Sequence, residues 1–284
     1  MRRVLRYGMV GGGPDAFIGA AHRKAIALDG TAELVAGCFS RDPAKSAAQG
    51  EALGIAPDRC YGSYQEMAAA ESARDDGIDF VVVVTPNNTH YAICRAFLEA
   101  GIHVSCDKPL TTETAQAEEL KALAEEKGLL FMVTYTYTGH VTMKYARDLI
   151  RAGEIGTVRT VMAEYPQGWL YNENDCGGKQ GEWRCDPARS GKVNALGDIG
   201  THVENAKTDI DISIGSSHLR LVSSQYINKI TIKFQCKCFK GKVVRVHGFC
   251  WKFKVIYKDF QHRIDSVRNG DGYTDNCISS LPLL

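Results

Sequence analysis

The chain has 284 residues, enough for one large domain or two ordinary ones. Its 44% hydrophobic and 24% charged residues, at a net charge of +1, are those of a globular protein in water. The longest largely apolar run, Ile78–Val84, suits a buried strand and is far too short to span a bilayer. The basic N-terminal stretch breaks into glycine before building the apolar core of a secretory signal, so the expected location is cytoplasmic. Of the ten cysteines, Cys38, Cys60, Cys94, Cys106, Cys176 and Cys185 are scattered singly, and Cys94 and Cys106 read as small buried hydrophobes. Cys236-Lys-Cys238 with Cys250 lacks a second pair, and no metal site is expected.

In chain order, strand and helix signals alternate over residues 4–134. "VLRYGMVG" is an apolar strand ending in glycines, and helix formers follow from Ala16 to Leu28. "AELVAGCFS" (Ala32–Ser40) is a second strand; a helix then opens with Asp42 as N-cap and Pro43 at its first position. "GIDFVVVVTP" is a continuous β-branched run, as in strands buried on both faces of a parallel sheet. "HYAICRAFLEAG" is a helix, "IHVSCDKP" a strand, "TTETAQAEELKALAEEKG" an amphipathic helix with a glycine stop, and "LLFMVTYTY" a further strand. Repeated β-α-β units predict an α/β, Rossmann-type, doubly wound parallel sheet over residues 1–134. An incomplete α+β second domain is expected over 135–206. It holds a helix in "HVTMKYARDLIRAGEIG", a strand in "TVRTVMAEYP", a long loop over 167–196 and a helix starting in "DIGTHVENA".

The first strand feeds "GMVGGGPDAFIGAAH". A dinucleotide turn needs one glycine for the bend, a second for close approach to the pyrophosphate and a third for helix–sheet packing, with the phosphates on the helix N-terminus. Gly11 and Gly13 fill the first two roles; Ala16 or Gly19 is the third. At the tip of the second strand stand Ser40 and Arg41, with Asp42 one step later as the helix cap. An acid at the tip binds the ribose 2′-hydroxyl of NAD, whereas an arginine accommodates the 2′-phosphate of NADP. Ser40 and Arg41 therefore tilt the expectation toward NADP, with NAD open.

"TPNNTH" (Thr85–His90) follows the third strand at the end where open α/β sheets bind ligands, and a turn with a cap explains it equally. "CDKP" (Cys106–Pro109) ends the next strand. Lys108 there either faces the same crevice or is an exposed loop lysine, and Pro109 restrains its backbone. In "GDIGTH", Asp198 and His202 stand four residues apart and share a helix face. A carboxylate beside an imidazole stabilises the imidazolium and orients the ring, as a proton shuttle requires, while a capping Asp and a surface His are the plain alternative.

Together "GMVGGG…GAAH", "TPNNTH", "DKP" and "GDIGTH" resemble the Gfo/Idh/MocA family of glucose–fructose oxidoreductases and inositol dehydrogenases, over about residues 3–206. The family tripeptide is Glu-Lys-Pro; here it is Asp107-Lys108-Pro109. The resemblance implies that Lys108, Asp198 and His202 form the catalytic group. It also implies that Thr85, Pro86, Asn87, His90 and Asp107 line an NAD or NADP cofactor. "EWRCDPARSG" is similar to the family stretch in which Trp183 and Arg184 approach the cofactor from the second domain. The implied activity is NAD(P)-dependent hydride transfer at a hydroxyl of a small sugar or polyol. The implied assembly is a homo-oligomer built through the second-domain sheet.

Composition changes at Lys207. Residues 207–284 hold 13 Lys and Arg against 6 Asp, with no Ala or Glu, for a net +7; residues 1–206 sum to −6. This basic tail does not match the family's second domain, which leaves three readings. One is a working oxidoreductase with a divergent end. Another is a truncated, dinucleotide-binding protein without turnover. The third is nucleic-acid binding through the interleaved Lys, Arg and aromatic residues of Lys233–Lys258, against which amphipathic strands, or no stable structure, are the favoured explanation.

Overall fold

A computed structural model describes residues 3–14, 16–156, 158, 160–167, 179–192, 196–209, 228–235 and 264. They fall into two units: the described residues up to Thr134 together with Ile264, and the other described residues from Tyr135 onward.

The first unit runs β1 (Leu5–Gly11), α1 (Phe17–Ala27), β2 (Ala32–Cys38), α2 (Pro43–Ala52), α3 (Tyr64–Ser72), β3 (Phe80–Val84), α4 (Asn87–Glu99), β4 (His103–Cys106), α5 (Thr114–Glu126) and β5 (Phe131–Val133). The strands are all parallel, in the order β2-β1-β3-β4-β5. This is the doubly wound sheet that the β-α-β pattern predicts. Every residue of β3 is buried, which is why its sequence is an unbroken apolar run rather than an alternation. The chain passes from β1 to β2 on one side and then crosses back to place β3 on the other side of β1. The carboxyl ends of β1 and β3 therefore flank a switch point, where open α/β sheets take their ligands. Register aligns those ends, with Gly11 opposite Val84 and Val83 opposite Cys106. Leu5, Met9, Ile26 and Phe80 anchor the core, and Ile264, from the basic segment, is buried among them.

Local chemistry sets the helix starts. Asp42 caps α2, its carboxylate accepting from the Ala44 and Lys45 amides at 3.0 and 3.4 Å, with Pro43 in the first turn as expected. Helix α3 has no counterpart in the sequence reading, although its signal was present: Ser63 and Glu66 have the spacing of a capping box, and Ser63 Oγ accepts from the Glu66 amide at 3.2 Å. Helix α4 begins three residues before the expected His90. Pro86, at φ −60° and ψ 146°, serves as its N-cap, which places Asn87 and Asn88 in the first turn.

In the second unit, α6 (Val141–Arg151) precedes β6 (Thr160–Gln167), which pairs antiparallel with β7 (Asn228–Gln235), Thr160 opposite Gln235. The expected loop over 167–196 contains two short helices, α7 (Lys179–Arg184) and α8 (Pro187–Ser190). Asp186 and Pro187 start α8, Asp186 accepting from the Ala188 amide at 2.9 Å. A single π-helical turn, Leu196–Gly200, leads into α9 (Thr201–Asp209). β7 lies in "YINKITIKFQCKCF" of the basic segment, where polar and apolar residues alternate as in a strand; residues 242–257, which alternate likewise, and Cys236, Cys238 and Cys250 lie outside the described residues. Among the described residues, no helix is long and apolar enough to cross a membrane.

Candidate active site

The carboxyl edge of the first sheet gathers most of the residues singled out by the sequence. Gly11 ends β1 at φ +89° and Gly12 follows at φ +73°, the left-handed region that side chains disfavour. A Cβ at Gly11 would lie 2.7 Å from the Val84 carbonyl oxygen, one at Gly13 3.0 Å from the Phe39 carbonyl oxygen, and one at Gly19 2.5 Å from Gly12 Cα. Gly19, rather than Ala16, is thus the residue that lets α1 approach the turn; Ala16 instead precedes the helix, and its amide bonds the Gly13 carbonyl at 2.9 Å. Arg23, one turn further along α1, donates to the Gly12 carbonyl at 3.1 Å and braces the turn from behind. Nothing in the glycine spacing pointed to it.

At the tip of β2, Ser40 is half-buried and Arg41 exposed. Ser40 Oγ accepts from the Asp42 amide at 3.1 Å, and the Asp42 carboxylate is engaged with the start of α2. Arg41 is therefore the charged side chain left facing outward at this tip.

After β3, Thr85 and Pro86 are half-buried, and Asn87 and His90 are buried in the first turn of α4. Thr85 Oγ1 accepts from Thr89 Oγ1 at 2.7 Å. The His90 ring spans two loops, with Nε2 2.8 Å from the Thr85 carbonyl oxygen and Nδ1 2.9 Å from the Pro109 carbonyl oxygen. After β4, Asp107 Oδ1 accepts from the Lys108 amide at 2.9 Å and from Thr134 Oγ1 at 3.0 Å. The Lys108-Pro109 peptide is cis, and Lys108 is half-buried. His22 of α1 is fully buried; burial drives its pKa down to about 4, Asp107 opposing the shift and Arg23 adding to it. The neighbouring Cys106 thiol is held well above its usual range by burial, by its hydrogen bond with Cys94 and by Asp107.

In the second unit the guanidinium of Arg184 lies 4.2 Å above the Trp183 ring, and its Nε is 3.4 Å from Asp198 Oδ2. Asp198 sits in the π-helical turn, a local widening frequent at functional sites that the i, i+4 reading did not foresee. His202 is buried at the start of α9, where Tyr137 and Tyr135 meet its ring edge to face at centroid separations of 4.5 and 5.7 Å. Tyr137 also stacks on His140 at 5.8 Å. The sequence shows these tyrosines only as part of the strand signal "LLFMVTYTY", which does not reveal which ring meets which.

A family model described as "Oxidoreductase family, NAD-binding Rossmann fold" matches residues 5–135, and the Gfo/Idh/MocA C-terminal domain matches residues 143–206. The chain belongs to the Gfo/Idh/MocA oxidoreductase family. It is 43% identical to the uncharacterized oxidoreductase YfiI of Bacillus subtilis (strain 168) over 208 residues, 70% of this chain and 51% of that protein. It is 30% identical over 200 residues to a levoglucosan dehydrogenase of Pseudarthrobacter phenanthrenivorans, covering 70% of this chain and 49% of that one. Among solved structures, an inositol dehydrogenase homolog from Azotobacter vinelandii complexed with NAD+ superposes with a TM-score of 0.82 at 26% identity, over 99% of this chain and 90% of that chain. The chain spans about half the length of the curated relatives it matches. The C-terminal family match ends at Ala206, directly before the change in composition at Lys207.

Proposed function

We propose that the chain catalyses NAD(P)-dependent hydride transfer at a hydroxyl of a small sugar or polyol in the cytoplasm. The observation that carries this reading is Lys108, its amide held by Asp107, which Thr134 anchors in turn, at the same sheet edge as the glycine turn. The turn suits a pyrophosphate: at Gly11, Gly13 and Gly19 a side chain would meet backbone, so the chain itself stays open to a close-lying anion at the amino end of α1. Thr85, Pro86 and Asn87, between β3 and the first turn of α4, would line the cofactor, with His90 bonded to the Thr85 and Pro109 carbonyls and Asp107 to the Lys108 amide. Ser40 and Arg41 face the ribose, and with Asp42 committed to its cap they favour the 2′-phosphate of NADP over NAD.

Nicotinamide supplies the hydride chemistry when the dinucleotide is bound. Lys108 donates a hydrogen bond to the developing alkoxide of the substrate, which lowers the barrier by placing positive charge where negative charge grows. His202 takes the hydroxyl proton. Asp198 offsets the imidazolium that results, and Arg184 holds the Asp198 carboxylate while resting on Trp183. The relatives' names, a levoglucosan dehydrogenase and an inositol dehydrogenase homolog, support the sugar or polyol class.

The test is turnover with levoglucosan and myo-inositol, followed by reduced-cofactor fluorescence, alongside calorimetry with NADH and NADPH. Lys108→Ala and His202→Ala should each lower kcat by about a hundredfold or more while cofactor binding persists. Undiminished turnover in either variant rejects the assignment. A second reading, dinucleotide binding without turnover, is favoured by the family match stopping at Ala206. It requires cofactor binding with no hydride transfer to either substrate.

A further inference from the structure

The two loops that flank the switch point are tied by a single imidazole. His90 is 1% exposed and sits in the first turn of α4. Its ring nitrogens lie 2.8 Å from the carbonyl oxygen of Thr85, in the loop after β3, and 2.9 Å from that of Pro109, in the loop after β4. Both partners only accept, so every bond here is donated by the ring: a neutral imidazole serves one carbonyl and an imidazolium serves both. Neither nitrogen is left to reach a ligand. The residue therefore acts on the loops themselves.

The loop after β4 is held from its other end as well. Asp107 Oδ1 accepts from the Lys108 amide at 2.9 Å and from Thr134 Oγ1 at 3.0 Å. The Lys108-Pro109 dipeptide is thus pinned at its leading N–H by Asp107 and at its trailing carbonyl by His90. Thr85 directly follows Val84, which pairs with Gly11 at the end of β1, so the second nitrogen of the clamp leads back to the glycine turn. We propose that His90 is a positioning residue that sets Lys108 against the cofactor loop. The proposal takes the role of Lys108 from the reading above; the clamp itself is independent of it. A misplacement of about 1 Å at a reacting group can cost on the order of a hundredfold in rate, so a donor buried behind the loop can matter as much as one facing the substrate.

The experiment compares the full chain with His90→Phe, which keeps an aromatic ring and removes both donors, and His90→Gln, whose amide nitrogen carries two donors. The first readout needs no turnover: the rate at which acetyl N-hydroxysuccinimide labels Lys108, mapped by peptide mass spectrometry relative to exposed Lys121. The second is NADH affinity by fluorescence, and the third is kcat and KM with levoglucosan and myo-inositol. Lys108 labelling should change severalfold in His90→Phe and return toward the native rate in His90→Gln. In His90→Phe, kcat should fall by about tenfold to a hundredfold with NADH affinity retained, and His90→Gln should recover most of it. If His90→Phe does not fold, His90→Asn, whose shorter amide does not span both carbonyls, takes its place as the loss variant. Equal Lys108 labelling in all chains, failure of Gln to rescue, or a loss of NADH affinity matching the loss of kcat each overturns the proposal. Absence of turnover in the native chain rejects the hydride-transfer reading, and the Lys108 labelling still decides the clamp.

Discussion

His22 illustrates how one buried ring couples the candidate site to stability. Burial lowers its pKa from 6.5 to about 4, opposed by Asp107 and reinforced by Arg23. The unfolded chain therefore takes up this proton at a higher pH than the folded one does. The contribution of neutral His22 to stability is complete above about pH 6.5 and is lost progressively as pH falls toward 4, up to about 3 kcal/mol. His22→Gln should flatten the fall in the denaturation midpoint across that window, as read by urea titrations at a series of pH values. An unchanged slope would assign the acid sensitivity to other groups. In the sequence His22 is only the end of "GAAH"; its enclosure and its proximity to Asp107 and Arg23 do not follow from position along α1.

Among the elements, α3 shows what periodicity leaves out. Its buried face carries Glu71, 1% exposed, whose carboxylate accepts from Arg59 Nε at 3.0 Å, from Arg59 Nη2, from the Tyr61 hydroxyl at 2.8 Å and from the Ile78 amide at 3.2 Å. One carboxylate thereby joins α3 to the 3₁₀ turn Pro57–Arg59 and to the approach to β3. Glu71→Ala leaves the buried Arg59 guanidinium with only its longer contacts to Asp76 and removes the carboxylate that the Tyr61 hydroxyl bonds, and should cost about 3–5 kcal/mol in chemical denaturation. A loss below about 1 kcal/mol, the range of exposed ion pairs, would show that water reaches the cluster. Nothing in "YQEMAAAES" marks Glu71 as buried, because its enclosure depends on Arg59, Tyr61 and Ile78 folding around it. The late start expected for α4 has a local origin. Asn87 and Asn88 favour turns in isolation, but Pro86 already holds the backbone that a helix entry needs.

For the molecule as a whole, the sheet gathers at one edge the carboxyl ends of strands that are far apart in sequence: Gly11, Val84 and Cys106 stand in neighbouring register. If this edge takes the dinucleotide, adding NADH or NADPH should slow amide hydrogen exchange in residues 11–19, 85–90 and 107–109 together. Protection confined to other segments would move the cofactor elsewhere. The basic segment is not wholly separate from this architecture. β7 completes a ladder with β6, and Ile264 is buried in the core of the first unit. A compositional boundary at Lys207 is a statement about charge and side-chain type, whereas strand pairing is satisfied by any chain that can alternate.

The five strands of the first unit and every helix between them except α3, the glycine turn after β1, the Asp42 cap and the residue types of the chemical motifs are legible in the sequence. Each depends on neighbours within a turn or a strand, where backbone sterics and local hydrogen bonds dominate. Family membership was legible for the same reason, as several short motifs in a set order. Tertiary structure alone decided the partners. His90 meets Pro109 nineteen residues away, Thr134 meets Asp107 across twenty-seven, and Arg184 rather than a near neighbour forms the ion pair described for Asp198. Such pairings arise when strands align and helices pack. They are set by the direction in which each buried side chain points, which a linear pattern of polar and apolar residues does not encode.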